Sequence, residues 1–334
     1  MSERVLVVGA GAVGQVFGRH LGLGGAAVTF FVREKYREGV ARGFDMYPLN
    51  RRKKQRGELV RFTEFEVVSS AAEVAARRFE QIYLTVSSNA LLGDWLRELL
   101  HAVPGAIVVS LQPGSEDRAR VLAAMAGPRP EERLVSGMIS LISYAAPLPG
   151  ETRFAQPGTA YWFPTLGPSP LSGPRSAVDG VLAALKRGKL PAKRHRDVPG
   201  SVAFPSAVLM PYLAALELGG WSFASLRDPD HAARAAGAAR EAMAVVSQGG
   251  AGRAPFGVRQ LARPRVLRLV LALARRLVPL PLETYVREHF IKVGDQTRMF
   301  LQQYVDAGRR AGLPVAALEG LTRGLLSPAR PAPA

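Results

Sequence analysis

The apolar positions of this chain change their period partway along it. Through the first half they come as short unbroken runs: Val5-Leu6-Val7-Val8, Ala27-Val28-Thr29-Phe30-Phe31-Val32, the stretch near Glu66-Val67-Val68, Gln81-Ile82-Tyr83-Leu84-Thr85-Val86, and Ala106-Ile107-Val108-Val109-Ser110-Leu111. Runs of this length, rich in β-branched residues and lacking strict alternation, predict strands buried on both faces. Helical stretches are predicted between them, over residues 71–78 and 91–101 among others. That strand–helix alternation predicts an α/β fold built on a doubly wound parallel sheet. Residues 38–62 are polar and punctuated by glycine, and read as an excursion from the sheet. The short runs at 135–144 and 159–163 read as further sheet. From Asp197 onward the pattern is helical: 204–218 is strongly apolar, 232–248 is alanine-rich, and 282–311 is long with mixed polarity. The basic, proline-flanked segment 186–200 marks the boundary. The organisation predicted is a sheet domain over 1–195, a mainly α-helical substrate or dimerisation domain over 196–326, and a disordered Pro/Ala tail over 327–334.

The first run leads straight into Gly9-Ala10-Gly11-Ala12-Val13-Gly14. Strand, GxGxxG, helix and second strand, in that order within one βαβ length, are the context that a dinucleotide-binding (Rossmann-type) fingerprint requires. Gly9 permits the tight turn, Gly11 lets the backbone approach a pyrophosphate, and Gly14 lets helix and strand pack closely. The N–H groups of Gly9 to Gly14 then face the ligand at the positive end of the helix dipole. An NAD site has Asp or Glu about 20 residues past the glycines, to accept from the ribose 2′-OH. This chain offers Val32 and Arg33 instead, with Lys35 and Arg37 close behind. A cation there pairs with a 2′-phosphate, so NADP is the expected cofactor; Glu34, rotated inward, is the alternative acceptor for NAD. Ligands of such sheets bind beyond the carboxyl ends of the strands, which puts Ser87, Ser88, Asn89, Gln112 and Pro113 at the rim, with Ser87 and Gln112 as further cofactor contacts.

The 334 residues are 48% hydrophobic and 21% charged, ordinary for a globular protein, and long enough for two cores. No uninterrupted apolar run reads as long enough to span a bilayer, and no signal peptide is evident, so the expected location is cytoplasmic. Cysteine is absent, which excludes disulfides and thiolate chemistry. No His and acidic cluster has metal-ligand spacing, so no metal is expected. The net charge of +17 is carried mostly by arginine spread over the chain. Arg51-Arg52-Lys53-Lys54 is the one dense run, in a loop, and no nucleic-acid motif accompanies it. The charge reads as solvated faces, with no nucleic-acid partner.

Over nearly its full length the chain resembles the ketopantoate reductase (2-dehydropantoate 2-reductase) family. The resemblance rests on Gly9 to Gly14, the strand end Val32-Arg33, the two rim loops after Val86 and Leu111, Met210-Pro211 within an apolar helix, Glu241, and Ala311-Gly312-Leu313-Pro314-Val315. It implies an NADP-dependent oxidoreductase, acting on a small-molecule carbonyl, imine or hydroxyl, and a homodimer. The family's catalytic positions depart. Ser87 stands where the first rim loop offers a Lys, and Pro113 stands where the second reads Asn-Gly. The catalytic lysine aligns near Val202, the substrate-holding Asn at Met210, and the acid of the last helix near Gln296. Val202 cannot protonate the alkoxide left by ketone reduction, so a substrate other than ketopantoate is expected.

A replacement is sought on the predicted helix 282–311, where His289, Lys292 and Gln296 share one face at i, i+3 and i+7. Either Lys292 or His289 would donate the proton, Lys292 preferred because partial burial would lower its pKa, and Gln296 or Asp295 would hold substrate. The opposing expectation is a solvent-facing helix, and with it a catalytically inactive NADP(H)-binding sensor or assembly protein. Residues 265–281 form one further oddity, a greasy helix with Arg268, Arg275 and Arg276 loosely on one side. It reads as a core or dimer helix, or else as a lid or a segment resting on a membrane surface.

Overall fold

The computed structural model describes residues 2–51, 55, 57–114, 116–164 and 167–326. Most of the basic run at 51–54 and the whole tail at 327–334 lie outside the described residues. The chain divides into two compact units, Met1–Pro199 and Gly200–Ala334.

In the first unit the strands are β1 (Arg4–Val8), β2 (Ala27–Phe31), β3 (Phe44–Pro48), β4 (Val60–Phe62), β5 (Glu66–Val68), β6 (Gln81–Leu84), β7 (Ile107–Ser110), β8 (Leu134–Gly137), β9 (Ile142–Ala146), β10 (Gly158–Trp162), β11 (Ser169–Ser172) and β12 (Ala192–Arg194). The helices are α1 (Ala12–Leu23), α2 (Glu34–Ala41), α3 (Ala71–Ala75), α4 (Trp95–His101), α5 (Asp117–Ala124) and α6 (Arg175–Arg187). Eight strands form the main sheet in the order β12-β11-β8-β7-β6-β1-β2-β5. Its centre, β5 through β8, is parallel throughout, and β11 pairs antiparallel to β8. Val5 and Val7 enter one hydrophobic core, Leu6 and Val8 the other. Both faces of β1 are therefore buried, which is why its sequence carries no polar alternation.

One correction concerns the excursion at 38–62. It contains the end of α2, then β3 and β4, and β3 joins β10 in a second, four-stranded sheet ordered β4-β3-β10-β9. Residues 142–146 and 158–162 belong to that sheet and not to the main one. The strand Phe44-Asp45-Met46-Tyr47-Pro48 hides in the sequence because a Pro and an Asp break its apolar pattern, both residues that strands avoid. Its Met46 and Tyr47 are nonetheless fully buried. Met46, Phe44 and Tyr161 share a core with Val16, Phe17 and Leu21 of α1, so the small sheet covers the side of α1 that the main sheet does not.

His20 fastens these layers. Its Nδ1 lies 2.6 Å from the carbonyl of Gly188, beyond the end of α6, and its Nε2 lies 3.1 Å from the Tyr161 hydroxyl of β10. A carbonyl can only accept, so Nδ1 carries the proton and Nε2 accepts from the tyrosine. The hydroxyl accepts in turn from Arg19 Nη1 at 3.1 Å. Burial, against a weaker pull from the Gly188 bond, lowers the His20 pKa from 6.5 to about 4.

The second unit is helical: α7 (Val198–Leu218), which opens at the junction, α8 (Pro229–Val246), α9 (Phe256–Leu261), α10 (Pro264–Leu277), α11 (Leu282–Lys292), α12 (Gly294–Arg310) and α13 (Ala316–Leu326). Contrary to the expectation of no spanning run, α7 is long and apolar enough to cross a membrane, with a mean hydropathy of 1.4. Its Phe204, Val208, Met210 and Leu213 instead enter the core shared with α8, α12 and α13. A helix apolar all round suits the centre of a bundle equally well. Pro229 and the Asp228 carboxylate, accepting from Asp230 N and His231 N at 2.8 and 3.0 Å, start α8. Glu241 accepts from Ala317 N and Leu318 N at 3.1 and 2.9 Å, capping α13 from the side.

The single long helix expected over 282–311 is two helices. Val293 takes φ −112° and ψ 20°, outside helical geometry, and Gly294 starts α12. A β-branched residue followed by glycine is a weak point for helix continuation. Arg298, paired with Glu217 of α7, fixes α12 in its new direction.

His20 sets a pH limit on the fold. As pH falls from 6.5 toward 4, the unfolded chain takes up a proton that the native state refuses. Stability should therefore drop by up to about 3 kcal/mol across that window. Thermal melts at stepped pH check this, and His20→Gln, which keeps a donor and an acceptor but does not titrate, should make the slope shallower.

Candidate functional site

The site is built where β1 turns into α1. Gly9 sits at φ +96°, a conformation that side chains rarely adopt. A Cβ placed on Gly14 would lie 2.0 Å from the Gly9 carbonyl oxygen and 2.7 Å from Thr85 Oγ1, so the helix can approach the strand only as glycine. Thr85 Oγ1 lies 2.8 Å from the carbonyl of Val8 and 3.0 Å from that of Gly9, one hydroxyl proton shared between them. Gln15 Nε2 donates to Ala10 O at 2.9 Å, and Gln15 Oε1 accepts from Thr159 of β10 at 2.6 Å. The loop is thus held from both sheets.

Gly11 is different. A Cβ there would meet nothing within 4 Å, and the residue is exposed. Gln15 N, bonded to Gly11 O at 2.9 Å, is the first to close a helical turn. The N–H groups of Ala12, Val13 and Gly14 before it have no acceptor within their helix. No side chain caps α1 and no acid stands in its first turn. The result is an open concavity that presents donors and a positive helix end, suited to a pyrophosphate.

At the end of β2, Arg33 is exposed and occupies the N-cap position of α2. Its guanidinium lies 5.2 Å from the centre of the Tyr36 ring, with Nη2 donating to the hydroxyl at 3.5 Å. No carboxylate lies within ion-pair distance of it among the described residues. Arg37 is already engaged, at 2.6 Å from Glu73 and 3.6 Å from Glu34. Glu73 also accepts from Ser69 N, and these bonds bring its pKa down to about 2. Arg33 is left available at this corner, as is the exposed Lys35, whose Nζ lies 5.1 Å from the centre of the Tyr36 ring, and Glu34 turns toward Arg37.

Of the two rim residues predicted as cofactor contacts, Ser87 is exposed after β6. Gln112 is committed to the loop itself. Its Nε2 donates to Leu84 O at 2.9 Å and to Val86 O at 2.8 Å, while its Oε1 accepts from Ser110. In these bonds it acts as a positioning residue, clamping the carboxyl ends of β6 and β7. The sequence reading missed Asp117. Its buried carboxylate accepts from Ser88 Oγ at 2.6 Å, Gly114 N at 2.7 Å and Arg120 Nη1 at 3.1 Å, tying the two rim loops together. The signal was available: an acid three residues past a Pro-Gly turn, at the start of a helix.

In the helical unit the three predicted catalytic residues do not share a helix. His289 and Lys292 are on α11 and Gln296 is on α12, across the Val293 break. Lys292 is exposed, so the partial burial invoked to tune it is missing. His289 is half-buried between Tyr285, stacked at 5.3 Å, and Phe290, edge-on at 4.9 Å. Burial, with help from the Lys292 charge, lowers its pKa, leaving it neutral and a poor donor at neutral pH. Val202 and Met210 are both buried on α7. A cavity of about 490 Å³ in the first unit, lined by Arg4, Ala27 and Glu66, opens at the amino ends of β1, β2 and β5, away from the loops just described.

Residues 5–166 match the family described as ketopantoate reductase PanE/ApbA. No curated protein matches the sequence. Among solved structures, the chain is similar to a PanE/ApbA family ketopantoate reductase from Ralstonia eutropha JMP134, with 18% identity, 97% of each chain covered and a TM-score of 0.71. A 2-dehydropantoate 2-reductase from Geobacter metallireducens GS-15 aligns with 16% identity over 97% of this chain and 99% of its own, at a TM-score of 0.69. D-mandelate dehydrogenase, in a ternary structure with NADH and anilino(oxo)acetate, gives 13% identity, 97% coverage of both chains and a TM-score of 0.67. At these identities the likeness is one of fold, and it extends through the helical unit.

The clamp is testable. Asp117→Asn keeps one acceptor but turns an N–H₂ toward Arg120 or Gly114, and should cost roughly 1.5–3 kcal/mol, the range for a charge-assisted hydrogen bond. Urea denaturation measures it.

Proposed function

With residues 5–166 belonging to the ketopantoate reductase PanE/ApbA family, we propose that this protein is an NADPH-dependent oxidoreductase that interconverts a carbonyl and a hydroxyl on a small molecule other than ketopantoate. The observation that carries the cofactor half is the pairing of an open glycine cradle with Arg33. Gly11 leaves room for a pyrophosphate against an uncapped helix end, and Arg33 meets no competing carboxylate beside it. A guanidinium suits the two negative oxygens of a 2′-phosphate and offers nothing that accepts from a ribose hydroxyl. The nicotinamide supplies the hydride when bound; the chain's own task is to orient it and to hold the rim loops, through Gln112 and Asp117.

The substrate half rests on chemistry and on the family. The named relatives, a 2-dehydropantoate 2-reductase and a D-mandelate dehydrogenase, act on 2-oxo or 2-hydroxy acids, which makes that class the first to assay. Ketopantoate itself is disfavoured because the resemblance puts Val202 and Met210, both apolar and buried, at the family's lysine and asparagine positions. Lys292 and His289 are not carried into the proposal as proton donors, the first being exposed and the second depressed in pKa. That same observation favours a second reading, a protein that binds NADP(H) without turnover. We propose a cytoplasmic location, as the sequence pattern implies, and a homodimer, as the resemblance implies.

Fluorescence titration decides the cofactor. NADPH should bind more tightly than NADH, and Arg33→Ala should weaken NADPH by roughly 1.5–3 kcal/mol, with little effect on NADH. Equal affinities for the two cofactors would defeat the assignment.

Steady-state assays decide the substrate. With NADPH and ketopantoate the turnover should fall well below the usual range of about 1–10³ s⁻¹. A panel of other 2-oxo acids should contain one that is reduced within that range; if none is, the binding-only reading stands.

A further inference from the structure

Residues 252–281, spanning α9 and α10, hold seven arginines, from Arg253 to Arg276, and no acidic residue. None of the seven is in an ion pair among the described residues, although the protein has many such pairs elsewhere. No residue of α10 is fully buried. Leu267 and Leu271 rest on the helical core, which sets the inward side of α10. Leu269, Val270, Leu273 and Leu277 are 61%, 40%, 48% and 75% exposed, and Phe256 on α9 is 70% exposed. At 100° per residue, Leu269, Leu273 and Leu277 lie along one stripe with Val270 beside it, and Arg265 and Arg276 run along its edge.

We propose that α9 and α10 form a docking surface for an anionic lipid bilayer. An apolar stripe bordered by unpaired arginines is the composition of an interfacial helix: the leucines enter the acyl boundary while the guanidiniums stay at the level of the phosphates. Charge complementarity selects the occupant. A second copy placed face to face would bring seven uncompensated arginines against seven more, a like-charge contact that costs free energy. A nucleic acid would satisfy the arginines but leave Phe256, Leu273 and Leu277 against phosphate. A cavity of about 250 Å³ beside α9, lined by Arg253 and Arg259 with Met243 and Ser247, has room for a headgroup phosphate. This inference stands on the helical unit alone and does not depend on the cofactor assignment.

Flotation of the full chain with vesicles is the test. Vesicles with about a third phosphatidylglycerol should bind at least about tenfold more tightly than pure phosphatidylcholine, and about 1 M NaCl should release the protein. Replacing the stripe, Leu269→Ser with Leu273→Ser and Leu277→Ser, should lower binding by about tenfold or more, and so should Arg265→Glu with Arg276→Glu. All five side chains are exposed, and circular dichroism melts check that each variant folds. Should the leucine variant fold poorly, the lipid-composition and salt arms on the unmodified chain still decide. Indifference to phosphatidylglycerol overturns the proposal, as does a folded leucine variant that binds like the parent. Sedimentation showing a dimer that the leucine variant dissociates, without vesicle binding, assigns the face to a second copy and also overturns it.

Discussion

The contact between the Gly9 carbonyl and the α-carbon of Gly14 is what the first unit is arranged around. It leaves no room for a methyl group, so α1 starts in van der Waals contact with the strand that feeds it. That closeness has two consequences. The helix end, with its unsatisfied N–H groups, sits directly over the carboxyl edge of the sheet. The helix body is drawn so deep that one sheet cannot cover it, and the second sheet closes over its outer side through Met46, Phe44 and Tyr161. His20 then joins α1, β10 and the turn after α6 by two hydrogen bonds to one ring. The small sheet is therefore part of what keeps the glycine turn in place, as the Gln15–Thr159 bond shows directly.

Much of the first unit was legible because burial on both faces leaves a simple mark, a run of apolar β-branched residues between glycines. The runs at 5–8, 27–32, 81–86 and 106–111 became β1, β2, β6 and β7, each within two residues at either end. The second sheet was not legible for the same physical reason in reverse. β3 and β4 are short, lie in the smaller sheet, and carry Asp45, Pro48 and Arg61, so no pattern rises above the surrounding loop. The rim loops were located correctly, yet the direction of a side chain at a rim is set by tertiary hydrogen bonds. Gln112 satisfies the carbonyls of Leu84 and Val86, and nothing local to residue 112 encodes that. The face at His289, Lys292 and Gln296 required an unbroken helix, and one residue in non-helical geometry removes it.

The arginines show most plainly why composition alone misleads. A net charge of +17 spread over 334 residues reads as solvated faces. Pairing separates two populations. In the first unit, Arg37, Arg61, Arg77, Arg120, Arg153 and Arg187 each meet a carboxylate, so their charge is answered where they stand. Among the described residues Arg33 does not, and it stands at the end of β2. Between Arg253 and Arg276 none does among the described residues, and there the unanswered charge borders exposed leucine. Exposed ion pairs contribute little to stability, so a surface full of them is no sign of function. Charge left unpaired beside a donor-rich concavity, or beside apolar surface, carries more information, because the free energy of meeting an anion there is still available.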